Sequence, residues 1–385
     1  MPNIFAATAT PLGLTLDQYA RSIKTSRQRA RQSYVRAMRE DAGVDPPDPT
    51  RIDEDEGVIK FCLPCDGGFE TESVIIPMDS YRGTQWHTLC VSSQIGCRMG
   101  CTFCETGRMG LLRNLSPAEI VMQWIAARRL MRARIDTPSG LYTYFRDGIQ
   151  NVVFMGMGEP LDNLTNVIDA IRVLSEQNGL AVPHAQITVS TVGRIDGLRE
   201  LAALARLEPQ WRNLRLAVSL NAPNDELRDQ IMPINKGMPL AALQRELLAF
   251  PLAPRARMLV EYVMLAGVND SPAHADQVAD WCRPLPCVVN LIPYNPQRDA
   301  AYAAPDDETM MRFLKRLRAN GIFVKRRVTY GRRLMGACGQ LGNSELRKGG
   351  LGACGLGLGR SQALKPQAPS PTADSSPSSP PRRPS

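Results

Sequence analysis

The sequence has few histidines, no long apolar run and no glycine motif of the dinucleotide-binding kind. Its three histidines, at positions 87, 184 and 274, are far apart, which argues against a histidine-rich metal site. No run of 18 apolar residues occurs, and the N-terminus shows no basic start followed by an apolar block. No GxGxxG follows a candidate strand. These absences predict a cytoplasmic protein with no membrane partner and argue against a Rossmann sheet.

The composition is that of a globular protein, with 43% hydrophobic and 22% charged residues among 385. The formal net charge is +8, of which the last 25 residues carry +2, so the remainder has a surplus that suits a polyanionic partner. In a cytoplasmic chain, ten cysteines favour metal or redox chemistry over a disulfide framework.

Three segments are predicted along the chain. Residues 1–60 form a short, basic, helical N-terminal region and an acidic linker, and residues 61–345 form the core. Residues 346–385 are a glycine-rich end followed by a disordered tail rich in proline and serine. Within the first segment, one helix is predicted over residues 16–40, capped by Thr15. Its many arginines form either a solvated face or a nucleic-acid contact.

The core alternates short apolar strands with amphipathic helices, as in 151–155, 164–176, 187–190 and 214–220. Such alternation is typical of a parallel sheet. The fold class is therefore predicted as α/β, a partial (β/α)6 barrel preceded by the short helical extension. In a barrel of this kind the chemistry lies at the carboxyl ends of the strands.

Three cysteines, Cys97, Cys101 and Cys104, lie on one loop with CxxxCxxC spacing, directly after a candidate strand. Soft thiolates in a compact loop suit an iron–sulfur cluster or zinc. Three ligands leave one iron of a four-iron cluster open to a substrate or cofactor. The competing hypothesis is a structural zinc site that borrows Cys62 and Cys65, a CxxC pair upstream.

This spacing resembles the radical S-adenosylmethionine (radical SAM) superfamily, and the surrounding motifs resemble the RlmN/Cfr family of RNA adenine methyltransferases. The matching motifs are TLCVSSQIGC at 88–97, GMGEPLDN at 156–163, SLNAPND at 219–225, NLIPYNP at 290–296 and ACGQL at 337–341. The resemblance extends from about residue 70 to residue 341.

The resemblance implies a [4Fe-4S] cluster held by Cys97, Cys101 and Cys104, with SAM as the second cofactor. The positions that match SAM contacts of the family are Gly158, Glu159, Ser190, Ser219, Leu220, Asn221 and Asn295. Glu159 would bind the methionine ammonium group, and the glycines before it would let the backbone approach a ligand closely. Asn221 stands where many relatives carry histidine.

The resemblance also implies a pair of reactive thiols. Cys338 would accept a methyl group from SAM and become S-methylcysteine, and a radical would then join that carbon to adenine. Cys90 would release the product by forming a transient disulfide with Cys338. Glu72 matches the proton acceptor, although Glu70 lies two residues earlier on the same strand face. On residues alone, both cysteines could instead be unrelated and buried.

The implied reaction is methylation of carbon 2, or carbon 8, of an adenine in ribosomal RNA, with transfer RNA as a further candidate substrate. The implied partners are RNA and an electron donor such as flavodoxin or ferredoxin, and a monomer is expected. Phosphate contacts are expected from basic stretches at 128–134 and 325–333. The alternatives are a radical SAM enzyme with a non-RNA substrate and a non-catalytic, zinc-containing RNA-binding protein.

Overall fold

The computed structural model describes residues 10–44, 46–79, 85–134, 148–297, 301–327 and 330–342. The glycine-rich end and the proline- and serine-rich tail that the sequence predicts, with Cys354, lie outside these ranges. Within them, no helix combines the length and the apolar character needed to cross a membrane.

The described chain contains ten α-helices and twelve strands. The helices are α1 (Leu16–Ser22), α2 (Arg27–Glu40), α3 (Glu105–Met109), α4 (Pro117–Arg132), α5 (Leu164–Ser175), α6 (Ile195–Leu207), α7 (Asp225–Ile231), α8 (Leu240–Leu248), α9 (Pro272–Cys282) and α10 (Asp307–Ala319). The strands are β1 (Arg51–Asp55), β2 (Val58–Cys65), β3 (Phe69–Asp79), β4 (Gln85–Cys90), β5 (Gln94–Cys97), β6 (Gly110–Asn114), β7 (Ile149–Phe154), β8 (Ile187–Thr191), β9 (Arg215–Ser219), β10 (Met258–Met264), β11 (Cys287–Pro293) and β12 (Val324–Arg326).

Ten of these strands form one sheet in the order β1-β2-β3-β4-β7-β8-β9-β10-β11-β12. From β4 to β12 every neighbouring pair is parallel, and apolar faces of the intervening helices are buried on the sheet. The α/β fold with a mostly parallel sheet is therefore confirmed. The carboxyl ends of its parallel strands all lie on one side, where a site can be assembled from several loops.

Antiparallel strands extend the sheet on the side of β4, which the sequence analysis did not predict. β1, β2 and β3 pair in succession, and β3 pairs with β4. The segment 51–55 was predicted as part of an acidic linker, and this was wrong. Its sequence, RIDED, is largely exposed and becomes a strand because it pairs with the buried β2.

The N-terminal region is two helices rather than the single helix predicted over residues 16–40. Thr15 does cap the first helix, in a capping box with Gln18. The chain then leaves the helical path at Lys24, whose φ is 52°, and Ser26 caps the second helix by accepting from the Arg29 amide. Because Ser26 caps the start of a new helix, the apolar pattern of residues 16–40 is divided between two helices.

Arginines of α4 hold the end of α2 in place. The Asp41 carboxylate, at the left-handed residue that follows α2, binds Arg128, Arg129 and Arg132. Arg128 also donates to the Met38 carbonyl oxygen over 2.8 Å. The charge of the buried Arg128 is thus used inside the protein, whereas contact of the more exposed Arg129, Arg132 and Arg134 with phosphate stays a prediction.

Replacing Asp41 with alanine should destabilise the fold. The side chains of Asp41 and Arg128 are only 10% and 6% exposed, so removing the carboxylate leaves buried charge uncompensated. We expect Asp41→Ala to lower the free energy of unfolding by about 3 kcal/mol, measured by denaturant titration. Asp41→Asn, which tolerates the left-handed backbone, should lose about 1 kcal/mol less. Wild-type stability for Asp41→Ala would contradict this account.

Candidate active site

Two adjoining cavities lie inside the curve of the sheet, with much of their lining from the carboxyl ends of its parallel strands. The large cavity has a volume of about 550 Å³ and the small cavity about 150 Å³. They share a wall made by Met155, Glu261, Ile292, Arg327 and Cys338. The small cavity lies at the carboxyl ends of the strands, as expected for the chemistry, whereas the large cavity also extends toward their amino ends at Arg215 and Leu259.

The loop with the three cysteines closes one side of the small cavity. Cys97 ends β5, and Cys101 and Cys104 line the cavity directly. Burial raises the pKa of all three thiols, and that of Cys101 to about 12. Ligation of iron would offset this effect, because a bound metal requires the thiolate form. Three soft donors on one short loop, open to a cavity, fit an iron–sulfur cluster with one exchangeable position.

The zinc alternative is not supported within the described residues. Among them, no three histidine, cysteine or acidic side chains converge as ligands of a single ion. Cys62 and Cys65 lie on β2, are 1% and 3% exposed, and have pKa values raised by burial to about 11 and about 12. The donors of a cluster bind separate irons, so the three loop thiols need not converge on one point.

The glycines of GMGE are needed for packing between loops. A Cβ on Gly156 would lie 2.6 Å from the Val91 carbonyl oxygen, and one on Gly158 would lie 2.6 Å from the Gln94 Cβ. Gly158 also has a φ of 101°, which side chains rarely adopt. The sequence analysis attributed these glycines to close approach of a ligand. They do border the small cavity, but the steric demand comes from the connection between β4 and β5.

Gly158→Ala should therefore damage the fold around the small cavity. The left-handed backbone and the collision with Gln94 together should lower the free energy of unfolding by about 2–3 kcal/mol. Gly237→Ala is the matched control, because nothing lies within 4 Å of its added Cβ. Denaturant titration of both variants checks this, and equal stabilities would contradict it.

Glu159 is held in the wall of the small cavity. It is 2% exposed, and its Oε1 and Oε2 accept from the backbone amides of Leu161 and Val192 over 3.1 and 2.9 Å. Burial raises its pKa to about 7. Ser190 and Ser219, at the ends of β8 and β9, line the same cavity. A cation bound there would favour the charged form of this carboxyl group.

The other three predicted SAM contacts, Asn221, Leu220 and Asn295, lie in different parts of the structure. Asn221 lines the small cavity with a φ of 55°, and its Oδ1 accepts from the Val263 amide over 2.9 Å. The side chain of Leu220 is fully buried in the core, and its amide donates to Glu261. Asn295 lines the large cavity and donates to the Cys338 carbonyl oxygen over 3.2 Å. Only Asn221 of these three borders the small cavity.

The loop that carries Cys338 docks on the helix that follows the cysteine loop. The Gly339 carbonyl oxygen accepts from the Glu105 amide over 2.8 Å, and the Leu341 carbonyl oxygen accepts from the Thr106 hydroxyl over 2.5 Å. On the opposite side, the buried Lys60 donates to the Met335 carbonyl oxygen over 3.0 Å. These contacts hold Cys338, a half-buried thiol, where it borders both cavities.

Cys90 and Cys338 both line the large cavity. Burial is the main cause that raises the pKa of Cys90 to about 12, with a further contribution from Cys338. Both are free thiols in the described chain. Two cysteines that are remote in sequence therefore line the same cavity.

Glu72 lies outside both cavities. Its carboxylate pairs with Lys60 over 2.8 Å and accepts from the Gly342 amide over 3.0 Å, next to the loop of Cys338. Its carbonyl oxygen also accepts from the Ser92 hydroxyl over 2.7 Å. Glu70 is exposed. Of the two acids considered from the sequence, Glu72 is the one in contact with the site's framework.

Several cations of the basic stretch 325–333 are paired within the protein, but Lys325, Arg326, Arg332 and Arg333 are exposed, so their contact with phosphate stays a prediction. Arg326 pairs with Asp307 over 2.5 Å, and Arg333 pairs with Asp55 over 2.9 Å and with Glu56. Arg332 donates to the Asn295 Oδ1 over 3.0 Å. The contacts of Arg332 and Arg333 help to position the loop of Cys338.

Sequence reasoning missed one acidic residue of the site, Glu261. It is 5% exposed in the middle of β10, lines both cavities, and accepts from the Asn290 side chain over 2.9 Å. A single charged residue within the apolar run MLVEYVM was the available signal. A strand residue with a lone charge in such a run is either paired in the interior or part of a site.

Comparison with known proteins agrees with this geometry. The family model of the radical SAM superfamily matches residues 91–275. The dual-specificity RNA methyltransferase RlmN of Desulfotalea psychrophila is 42% identical over 294 residues, which are 76% of each chain. The chain belongs to the RlmN-like radical SAM methyltransferases. The probable RlmN 1 of Protochlamydia amoebophila is also 42% identical, over 75% of this chain and 74% of its own.

A solved structure of a radical SAM methyltransferase has the same architecture. The crystal structure of a radical SAM methyltransferase from Sphaerobacter thermophilus superposes with a TM-score of 0.73 at 35% identity. The match covers 86% of this chain and 98% of that one. The radical SAM fold and the family resemblance expected from the sequence are thereby confirmed, and membership implies a [4Fe-4S] cluster and SAM as cofactors.

Proposed function

We propose that this chain is a radical SAM RNA methyltransferase that methylates a ring carbon of adenine in ribosomal RNA and in transfer RNA. One observation carries the proposal: the cavity lined by Cys90 and Cys338 adjoins the one lined by Cys101, Cys104 and Glu159. An acceptor thiol is therefore next to the space where the cofactors would bind. The names of the relatives, dual-specificity RNA methyltransferases, support the same reaction.

The residues of the small cavity fit the cofactors. Cys97, Cys101 and Cys104 would hold the cluster, and the Glu159 carboxylate would bind the ammonium group of SAM beside Ser190 and Ser219. Bound there, the cluster and SAM supply a transferable methyl group and a reactive carbon radical. Asn221 contributes mainly by joining β9 to β10, since its side-chain oxygen is already engaged.

The thiols of the large cavity perform the transfer to RNA in this proposal. Cys338 accepts the methyl group as a thiolate, and Cys90 later attacks the Cys338 sulfur to release the methylated base. Glu72 is proposed to take the proton from the adenine ring. It lies outside both cavities, where its ion pair with Lys60 and its bond to Gly342 hold it against the loop of Cys338. This role therefore requires the base to extend from the large cavity to that loop.

An adenine stacked in a helix cannot present its ring carbons, so the target base must be unpaired or turned out. The large cavity has room for a base, and we propose carbon 2 as the position that is methylated. A small flavodoxin- or ferredoxin-like protein would supply electrons to a monomeric enzyme. Work in the cytoplasm would keep the two thiols reduced between cycles.

The test is methylation of RNA by the anaerobically reconstituted protein. The protein receives a reductant, methyl-labelled SAM and ribosomal or transfer RNA from cells that lack this modification. Digestion to nucleosides and mass spectrometry should show labelled 2-methyladenosine. Labelled 8-methyladenosine would overturn the choice of carbon. Consumption of SAM with no label in RNA would overturn the RNA substrate.

A further inference from the structure

The proposed chemistry needs the Cys338 thiol in its nucleophilic form, and the residues discussed so far do not provide it. A thiol is a far weaker nucleophile than its thiolate, so a neighbouring group must favour the charged form. Within the described chain, Arg327 is the cationic side chain that lines both cavities together with Cys338. It follows directly on β12, and its amide donates to the Leu291 carbonyl oxygen over 2.8 Å.

Arg327 contacts two side chains that line the same two cavities. Its Nη1 lies 3.8 Å from the Glu261 Oε2 and 3.7 Å from the Met155 sulfur. Glu261 is in turn fixed by Asn290, which donates to its other oxygen over 2.9 Å. The Glu261 Oε2 is buried and has no hydrogen-bond partner among the described residues, so the guanidinium is the cation that faces it.

Three neighbouring ionisable groups act on this guanidinium. Its pKa is raised by Cys338, by Glu261 and by Cys90, with Cys338 as the largest contribution. A cation beside a thiol favours its thiolate form, and Arg327 shares both cavities with Cys338 but only the large one with Cys90. Glu261 opposes this effect, because a carboxylate disfavours a nearby thiolate, but it also keeps the guanidinium at the junction of the cavities.

We propose that Arg327 stabilises the thiolate form of Cys338, and that Glu261, fixed by Asn290, is the positioning residue that holds Arg327 between the two cavities. The proposal rests on the proposed function, since it explains how the methyl acceptor becomes nucleophilic. It assigns charge stabilisation to Arg327 and no direct contact with RNA. It also gives a role to the single acidic residue in the buried strand β10.

Alkylation of Cys338 tests the proposal without SAM turnover or RNA. The reconstituted protein, with its thiols reduced, is treated anaerobically at pH 7 with iodoacetamide, which carries no charge. The thiolate sulfur forms a bond to carbon, iodide leaves with the electron pair, and the thiol proton passes to buffer. Mass spectrometry of the tryptic peptide Leu334–Arg347 reports the rate at Cys338.

Arg327→Gln should slow alkylation about tenfold, because the neutral side chain no longer favours the thiolate that reacts. Arg327→Lys, which keeps the charge, should restore most of the rate. In Arg327→Gln the Glu261 carboxylate is left uncompensated. The double variant Glu261→Gln/Arg327→Gln should therefore react faster than Arg327→Gln and more slowly than the wild type. Asp79, Arg215, Lys325 and Arg326, which line other parts of the large cavity, are unchanged throughout.

Two results would overturn the proposal. One is a wild-type rate in Arg327→Gln, and the other is a double variant that is slower than Arg327→Gln, since removing an opposing carboxylate should not slow the reaction. The buried Cys282 is the internal control for folding. If Arg327→Gln exposes Cys282, the double variant decides, because it leaves no charge unpaired. In that case, alkylation of the double variant at the wild-type rate overturns the proposal, and alkylation slower than in the wild type supports it.

Discussion

Cys338→Ala should abolish methylation of RNA, with a loss of roughly 10³-fold or more, because no other thiol takes its place. Cys338 is the cysteine that borders both cavities, and its loop is fixed by Glu105, Thr106 and Lys60. Alanine removes the sulfur and leaves those backbone contacts intact. The iron content and the absorbance of the cluster should therefore stay at the wild-type level.

Labelled nucleosides and iron analysis of the same preparation measure both parts of this prediction. Cys287→Ala is the matched control, since Cys287 is a buried cysteine at the start of β11 that lines neither cavity. It should methylate RNA at close to the wild-type rate. Methylation by Cys338→Ala would contradict the role of this thiol, whatever the state of the cluster.

Cys97→Ala should remove the cluster and with it all SAM-dependent activity, again by roughly 10³-fold or more. A loop with two thiols cannot hold the iron that three thiolates hold. Iron and sulfide analysis after anaerobic reconstitution measures the loss directly. Cys62→Ala should leave both iron content and activity in place, because Cys62 lies on β2 in the core.

The same analysis separates the alternatives considered from the sequence. Zinc without iron in the wild-type protein, reduced by Cys62→Ala, would contradict the cluster and restore the zinc-site hypothesis. A normal cluster in Cys97→Ala would show that the ligands have been assigned to the wrong cysteines.

Local patterns made the sheet and the cysteine loop predictable. Strand–helix alternation identifies parallel strands, and CxxxCxxC identifies a soft-metal loop, because both depend on residues close in sequence. The strand 51–55 depends on pairing with β2, and the break after α1 depends on Lys24 and Ser26 competing with a continuous helical pattern. Such choices are made by tertiary context and local caps, which periodicity does not report.

The candidate site shows the same limit. Asp41 and Glu54 bind the arginines of 128–134, and Asp55 and Glu56 bind Arg333, so the basic clusters are paired with acids far away in sequence. The shared lining by Cys90 and Cys338 likewise arises from loops that are remote along the chain. Resemblance to a family could suggest that pair, whereas composition and spacing could not.

The central claim is that Cys338 carries the methyl group on its way to RNA. The most direct test gives the reconstituted protein methyl-labelled SAM without RNA and examines the tryptic peptide Leu334–Arg347 by mass spectrometry. The account predicts the label on Cys338, its absence in Cys338→Ala, and its transfer to adenosine when RNA and reductant are added. RNA that becomes labelled while Cys338 never carries the methyl group would contradict the account.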